Sequence, residues 1–304
     1  MNFIIRLLFL FFPLYLTNFT LLKATSKQPE ITIKNLPSKI SKTNKVEDIE
    51  KVIYQLIDFY GLSEVLIFFD CDDVLFQFRD CNLKKPNIKD FIEKFKKYCN
   101  KTGKVDSFEK GCQLLRTLPP RELVDPLMPK IVSSIIKKGG TVFCLTQCAS
   151  IPEIRSLRVE MLKSFGYSFC QLGDSVNEMQ LKVSESELAP KFLQQTITFP
   201  VFQDGVVFAG SASKGDAMTS FIELFYKINP LKKEGGILLI DDSMDNLMEV
   251  EKACRKVGKN CYLILYTATD GKSNLDDDLA EYQMSQLCEG KWPLNGADTD
   301  SPVF

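Results

Sequence analysis

The stretch "VLIFFDCDDVLF", residues 65–76, carries five apolar residues straight into Asp70, Asp72 and Asp73. Far downstream, "GGILLIDDSMDN" ends a second apolar run on Asp241 and Asp242. Two carboxylates about 4 Å apart repel by roughly 4 kcal/mol at an effective dielectric of about 20. Acids gathered this way need either open water or a cation between them. Oxygen donors without His or Cys suit a hard ion, Mg²⁺ rather than zinc. The chain has no histidine at all, which removes Ser-His-Asp and Cys-His catalysis and every His-ligated metal site. Any chemistry falls to carboxylates, Lys, Thr, Ser and Cys.

The elements that must position these residues are legible as alternating apolar runs and helical periods. "VLIFF", "TVFCLT", "GGILLIDD" and "CYLILYT" are short unbroken apolar runs, the mark of strands buried on both faces. Between them lie segments of helical spacing: "VEDIEKVIYQLIDFYG", "DPLMPKIVSSIIKKGG", "IPEIRSLRVEMLKSFG", "KGDAMTSFIELFYKI" and "SMDNLMEVEKACRKVG", several closed by glycine. This alternation predicts an α/β fold, a doubly wound parallel sheet with helices on both faces. Residues 80–121 are helical and mixed and are expected to form an insert. "FPVFQDGVVFAG" predicts a hairpin at Asp204-Gly205 within a second insert over 180–213. Residues 27–45 are expected to be a loose lead-in, and 268–304 a helix and tail after a core over 46–267. In such a sheet ligands bind beyond the carboxyl ends of the strands. Those ends carry Asp70, Asp72 and Asp73, Thr146, and Asp241 with Asp242, while Lys214 opens the helix before the last acidic end. Four or five carboxylates converging there could not all stay ionised and dry without a cation.

On these residues the chain resembles the haloacid dehalogenase-like (HAD) superfamily. Asp70-Cys71-Asp72-Asp73-Val74 is similar to its first motif, D-x-D-x-[T/V]; Thr146 to the second; Lys214-Gly215 to the third; and "IDDSMDN" to the fourth. The layout also resembles an uncharacterised exported branch of that superfamily from intracellular bacteria. The resemblance implies a HAD-like Rossmannoid core with a helical cap, and phosphoryl transfer through an aspartyl-phosphate with Mg²⁺. Asp70 would be the nucleophile and a metal ligand. Asp72 would be general acid and then base, with its backbone carbonyl on the metal. Thr146 would hydrogen-bond the phosphoryl oxygens, Lys214 would neutralise charge on them and on Asp70, and Asp242, helped by Asp241, would complete the metal site. The substrate class implied is a small phosphomonoester. A quiet HAD-like protein that binds a phospho-ligand or a protein partner through its inserts is the alternative.

Each residue also has a plainer account. Asp70 and Asp72 could be an acidic turn, and Asp241 or Asp242 could cap a helix. A lysine opening a helix stands against the helix dipole, so Lys214 is expected to be held by acids. Asp73 is expected to be a solvated turn residue, with Ser243 and Asn246 acting as caps or around the metal. Arg79, Arg116 and Arg121 could meet a phosphorylated substrate, although a solvated face is the plainer account. Gly210-Ser-Ala-Ser-Lys-Gly215 has the glycine spacing of a P-loop, but Asp216 stands where its lysine must be.

The formal net charge of −1 argues against a nucleic-acid partner. The opening "MNFIIRLLFLFFPLYLTNFTLLKATSK" has a basic residue, an apolar run over 7–22 and small residues after it. A cleaved export signal over 1–26 is expected, hence a periplasmic or secreted protein; the competing expectation is an uncleaved membrane anchor. Ten cysteines show no C-x-x-C pair. Cys71 and Cys144 are expected to be buried thiols, while a disulfide among Cys81, Cys99 and Cys112 is possible.

Overall fold

In a computed structural model of the chain, residues 39–173, 178–189, 197–271 and 274–293 are described. The expected export segment, most of the lead-in and the end of the tail lie outside them. Among the described residues, no helix is long and apolar enough to cross a membrane.

Strand β2 (Leu66–Phe69) shows why the central sheet forms. Its side chains alternate between two cores, Leu66 and Phe68 on one face and Ile67 and Phe69 on the other. Both faces must therefore be covered, and an unbroken apolar run is the result. β5 (Thr141–Thr146) and β9 (Ile237–Asp241) repeat the pattern on either side of β2, in parallel register. One face carries α1 (Val46–Tyr60), α4 (Met128–Lys137) and α5 (Pro152–Ser164). The other carries α6 (Lys214–Ile228) and α7 (Met244–Lys256). The fold is α/β, with a mostly parallel central sheet flanked by helices.

The full sheet has eight strands in the order β1-β10-β9-β2-β5-β8-β7-β6. β10 is Cys261–Tyr266, while β7 (Val201–Gln203) and β8 (Val206–Phe208) turn at Asp204-Gly205. β6 is Glu178–Gln180. Two expectations are corrected here. The lead-in contains β1 (Lys39–Thr43), paired in parallel with β10. Its sequence, "KISKT", has a single apolar residue, because an edge strand is held by backbone hydrogen bonds and needs little burial. The hairpin is part of the main sheet rather than a separate insert: β8 pairs with β5, and β7 and β6 extend the edge antiparallel.

After β2 the chain leaves the sheet. β3 (Phe76–Phe78) pairs antiparallel with β4 (Arg121–Leu123), and between them lie α2 (Ile88–Lys101) and α3 (Val105–Thr117). α8 (Asp277–Cys288) joins α2 and α3 around a third core that includes Phe91, Phe95, Leu115, Met284 and Leu287. Asn82 ties the two ends together, donating to Gln283 Oε1 and accepting from the Asp276 backbone N–H. The C-terminal helix is thus packed on residues 80–121, which no local periodicity could announce. No disulfide joins any of the ten cysteines; Cys71 and Cys144 are buried, and Cys99 Sγ lies 3.8 Å from Cys288 Sγ.

One close approach fixes the entry of α6. A Cβ on Gly215 would stand 2.6 Å from the Glu249 carbonyl oxygen and 2.7 Å from Ala253 Cβ, so α7 rests directly on the backbone of α6. Gly215→Ala should therefore destabilise the protein by about 1–3 kcal/mol through overpacking, despite alanine's better helix propensity. Urea denaturation of the two proteins measures this.

Candidate active site

Register brings the two acidic strand ends together. β2 and β9 pair with Phe69 opposite Ile240, and the Asp70 N–H donates to the Ile240 carbonyl at 2.8 Å. Asp70 and Asp241 therefore leave adjacent strands at the same level. Carboxylate oxygens of Asp70, Asp241 and Asp242 lie within 4.8 Å of one another.

Lys214 sits between them. At the first turn of α6 it is 0% exposed, and its Nζ is 2.6 Å from both Asp70 Oδ1 and Asp241 Oδ2. Burial alone would lower its pKa, but Asp241 and Asp70 raise it well above the ordinary lysine value. Asp241 is equally enclosed: it also accepts the Ser243 N–H at 2.8 Å and Asn246 Nδ2 at 3.1 Å. The helix cap of α7 is Ser243, whose side chain accepts from the Asn246 N–H. Capping therefore does not account for Asp241 or Asp242. Asp241 has little capacity left for a further ligand, whereas the side chains of Asp242 and Asp70 keep 13% and 9% exposure.

For Asp70, burial raises the carboxyl pKa well above its usual range; Lys214 pulls it down, while Asp241 and Asp242 push it further up. Burial and Asp241 also raise Asp242, against the pull of Lys85. Lys85, just before α2, reaches across to Asp242 Oδ2 at 2.9 Å and to Asp270 Oδ1 at 2.6 Å. This cation was not foreseen, and no sequence signal marks it.

Asp72 has different company. Its Oδ1 accepts Nη1 of Arg158 at 2.9 Å and Nη1 of Arg121 at 3.3 Å. Partial burial acts to raise Asp72, but the guanidiniums of Arg158 and Arg121 hold it below the usual carboxylate range. Arg121 is not on a solvated face: it is buried, and loss of solvent pushes its pKa down to about 10. Arg158 is a residue the sequence reading missed. The signal was present, because Arg155, Arg158, Val159 and Leu162 form the buried stripe of α5. Among the other arginines considered, Arg79 is exposed and Arg116 half-buried.

Thr146 ends β5, next to β2, with Phe69 opposite Cys144. It is buried, and its hydroxyl has no hydrogen-bond partner among the described residues. The structure thus brings Asp70, Asp241, Asp242 and Lys214 into contact, sets Thr146 on the neighbouring strand end, and turns Asp72 towards two arginines.

Asp73 is not the solvated turn residue expected. It is half-buried, adopts a left-handed backbone (φ 60°), and burial together with Asp242 raises its pKa to about 7. In the native state this carboxyl holds its proton longer than in the unfolded chain. Stability should therefore fall as pH rises through about 4 to 7, where the unfolded chain has already lost the proton. Without divalent ions, Asp73→Asn should be more stable than the parent by about 2 kcal/mol at pH 7.5, after allowance for solvent screening. The gap should close near pH 4, and denaturant melts at the two pH values in EDTA measure it. Asn tolerates the left-handed backbone, so no strain obscures the comparison.

The sequence profile of a family described as "Protein of unknown function (DUF2608)" matches residues 42–292. No curated protein and no solved structure matches the chain. The matched span runs from the edge strand to the end of the described residues and includes every side chain of the site: the protein belongs to the DUF2608 family.

Proposed function

We propose that this protein is a HAD-like, Mg²⁺-dependent phosphomonoester hydrolase working through an aspartyl-phosphate on Asp70. The observation that carries the reading is Lys214, buried on Asp70 and Asp241 at 2.6 Å each with the Asp242 carboxylate alongside. Even with Lys85 on Asp242, two lysines among three acids leave the cluster short of positive charge. The donors are all carboxylate oxygens, which fit a hard divalent ion. Asp70 and Asp242 would hold Mg²⁺, with Asp241 kept back by Lys214, Ser243 and Asn246. When bound, the ion would supply charge neutralisation for the phosphoryl oxygens and for Asp70.

The rest follows from the chain's own groups. Asp70, a carboxylate fixed at a strand end by its backbone hydrogen bond, attacks phosphorus and splits the displacement into two steps. Lys214 orients that carboxylate and lowers its affinity for a proton. The free hydroxyl of Thr146 is a donor for a phosphoryl oxygen. Asp72, beside the leaving oxygen, gives it a proton as the ester P–O bond breaks, and the carboxylate that remains, favoured by two arginines, then takes the proton of the water that hydrolyses the aspartyl-phosphate. Residues 80–121 with α8 would act as the cap over the strand ends, in an exported protein if the apolar N-terminus directs it there. The assignment to the HAD-like group rests on motif order and on this shared strand-end geometry.

The test is Mg²⁺-dependent phosphate release from 4-nitrophenyl phosphate by the purified protein. Asp70→Asn should lower turnover at least about a thousand-fold, since the covalent step is lost while the fold persists. Equal rates in both proteins would favour a non-catalytic binding role. Lys85→Met should lower the Mg²⁺ concentration for half-maximal rate about three-fold, because it removes a competing cation from Asp242. A metal titration of the rate measures that shift.

A further inference from the structure

Two guanidiniums buried on one carboxylate oxygen leave charge to spare. The side chains of Arg121 and Arg158 are 5% and 6% exposed, and Asp72 is the acceptor they share. Among the described residues neither has another protein acceptor, and Nε of Arg121 is buried with no partner. Aromatic rings fix their planes: Arg121 Cζ is 3.2 Å from the Phe78 ring centre, and Arg158 Cζ is 5.1 Å from that of Phe76. Stacking orients a guanidinium but does not neutralise it. One positive charge and a set of fixed N–H donors remain beside Asp72, whose side chain is still 41% exposed. Keeping cations out of water without full compensation is costly, and a second anion would relieve the cost.

We infer that Arg121 and Arg158 bind an anionic group on the leaving portion of the substrate, so that the site selects short phosphorylated acids over phosphate esters of neutral alcohols. The word substrate rests on the hydrolase reading above; the anion site rests on the two arginines alone. In that reading Asp72 faces the leaving oxygen. Two successive hydrogen bonds place the guanidiniums about 6 Å from this oxygen. A carboxylate or second phosphoryl group one or two carbons away would reach them. Planar guanidinium forks match either group with paired hydrogen bonds. A neutral leaving group would leave the same donors unsatisfied, which is how a polar site rejects an analogue.

The test needs no turnover. The full chain, with Mg²⁺, is titrated calorimetrically with 3-phosphonopropionate and with propylphosphonate, which has a matching uncharged tail. The carboxylated compound should bind about ten-fold or more tightly, and Arg158→Gln should reduce the preference to about two-fold. Arg158→Lys, which keeps the charge without the fork, should fall between and covers the case in which the Gln variant does not fold, as judged by thermal melting. Equal affinities in the parent, no binding of either phosphonate, or an unchanged preference in Arg158→Lys and Arg121→Lys would overturn the inference. Phosphate release from 4-nitrophenyl phosphate, assayed in parallel, reports on the hydrolase reading alone. A silent enzyme with an intact preference would remove that reading and leave the anion site standing.

Discussion

The structure turns on a lysine ammonium out of contact with water, held by Asp70 and Asp241. The lysine is the indispensable member: removing its charge would leave two acids facing each other in a poor solvent, at a cost of about 3–5 kcal/mol, whereas loss of one acid still leaves it a partner. The two acids come from adjacent strands and the lysine from the helix that precedes the second, so this contact links β2, α6 and β9 at a single point. It also explains why a lysine is tolerated at a helix N-terminus, where the dipole disfavours it. Gly215 belongs to the same arrangement, since only a residue without a side chain lets α6 lie against α7 and carry Lys214 inward.

Around that point the charges fall into two zones. Asp70, Asp241 and Asp242 with Lys214 form an acidic zone short of positive charge, answered in part by Lys85. Asp72 with Arg121 and Arg158 forms a basic zone short of negative charge. A divalent cation would complement the first and an anion the second, and a phosphorylated acid bound with Mg²⁺ brings both. A single residue, Cys71, separates Asp70 of the first zone from Asp72 of the second, so one small ligand can span them. Burial gives the arrangement its force, because charges interact more strongly where water is scarce.

The helices outside the sheet make the second zone possible. β3 and β4 return the chain to the strand ends on either side of α2 and α3, and Arg121 is the first residue of β4. The packing of α8 on α2 and α3 closes a third core, with Asn82 joined to both Gln283 and Asp276. Residues remote in sequence thereby set the position of one arginine beside Asp72.

The main strands, the flanking helices and the acidic ends of β2 and β9 were legible in the sequence, because both periodicity and the carboxyl-end rule are properties of short segments. An unbroken apolar run must be covered on both faces, and parallel strands then place their carboxyl ends together. Lys214 was legible for a related reason: a cation in an unfavourable helix position implies a compensating acid. Edge strand β1 was not, since backbone pairing needs no apolar pattern. Nor were Lys85 on Asp242, the two arginines on Asp72, or the half-buried state of Asp73. Those depend on how far each helix is rotated and where each loop returns, and the energy that decides it comes from contacts between residues distant in the chain. Local pattern determined which acids stand at the strand ends; only tertiary packing decided which cation meets each of them.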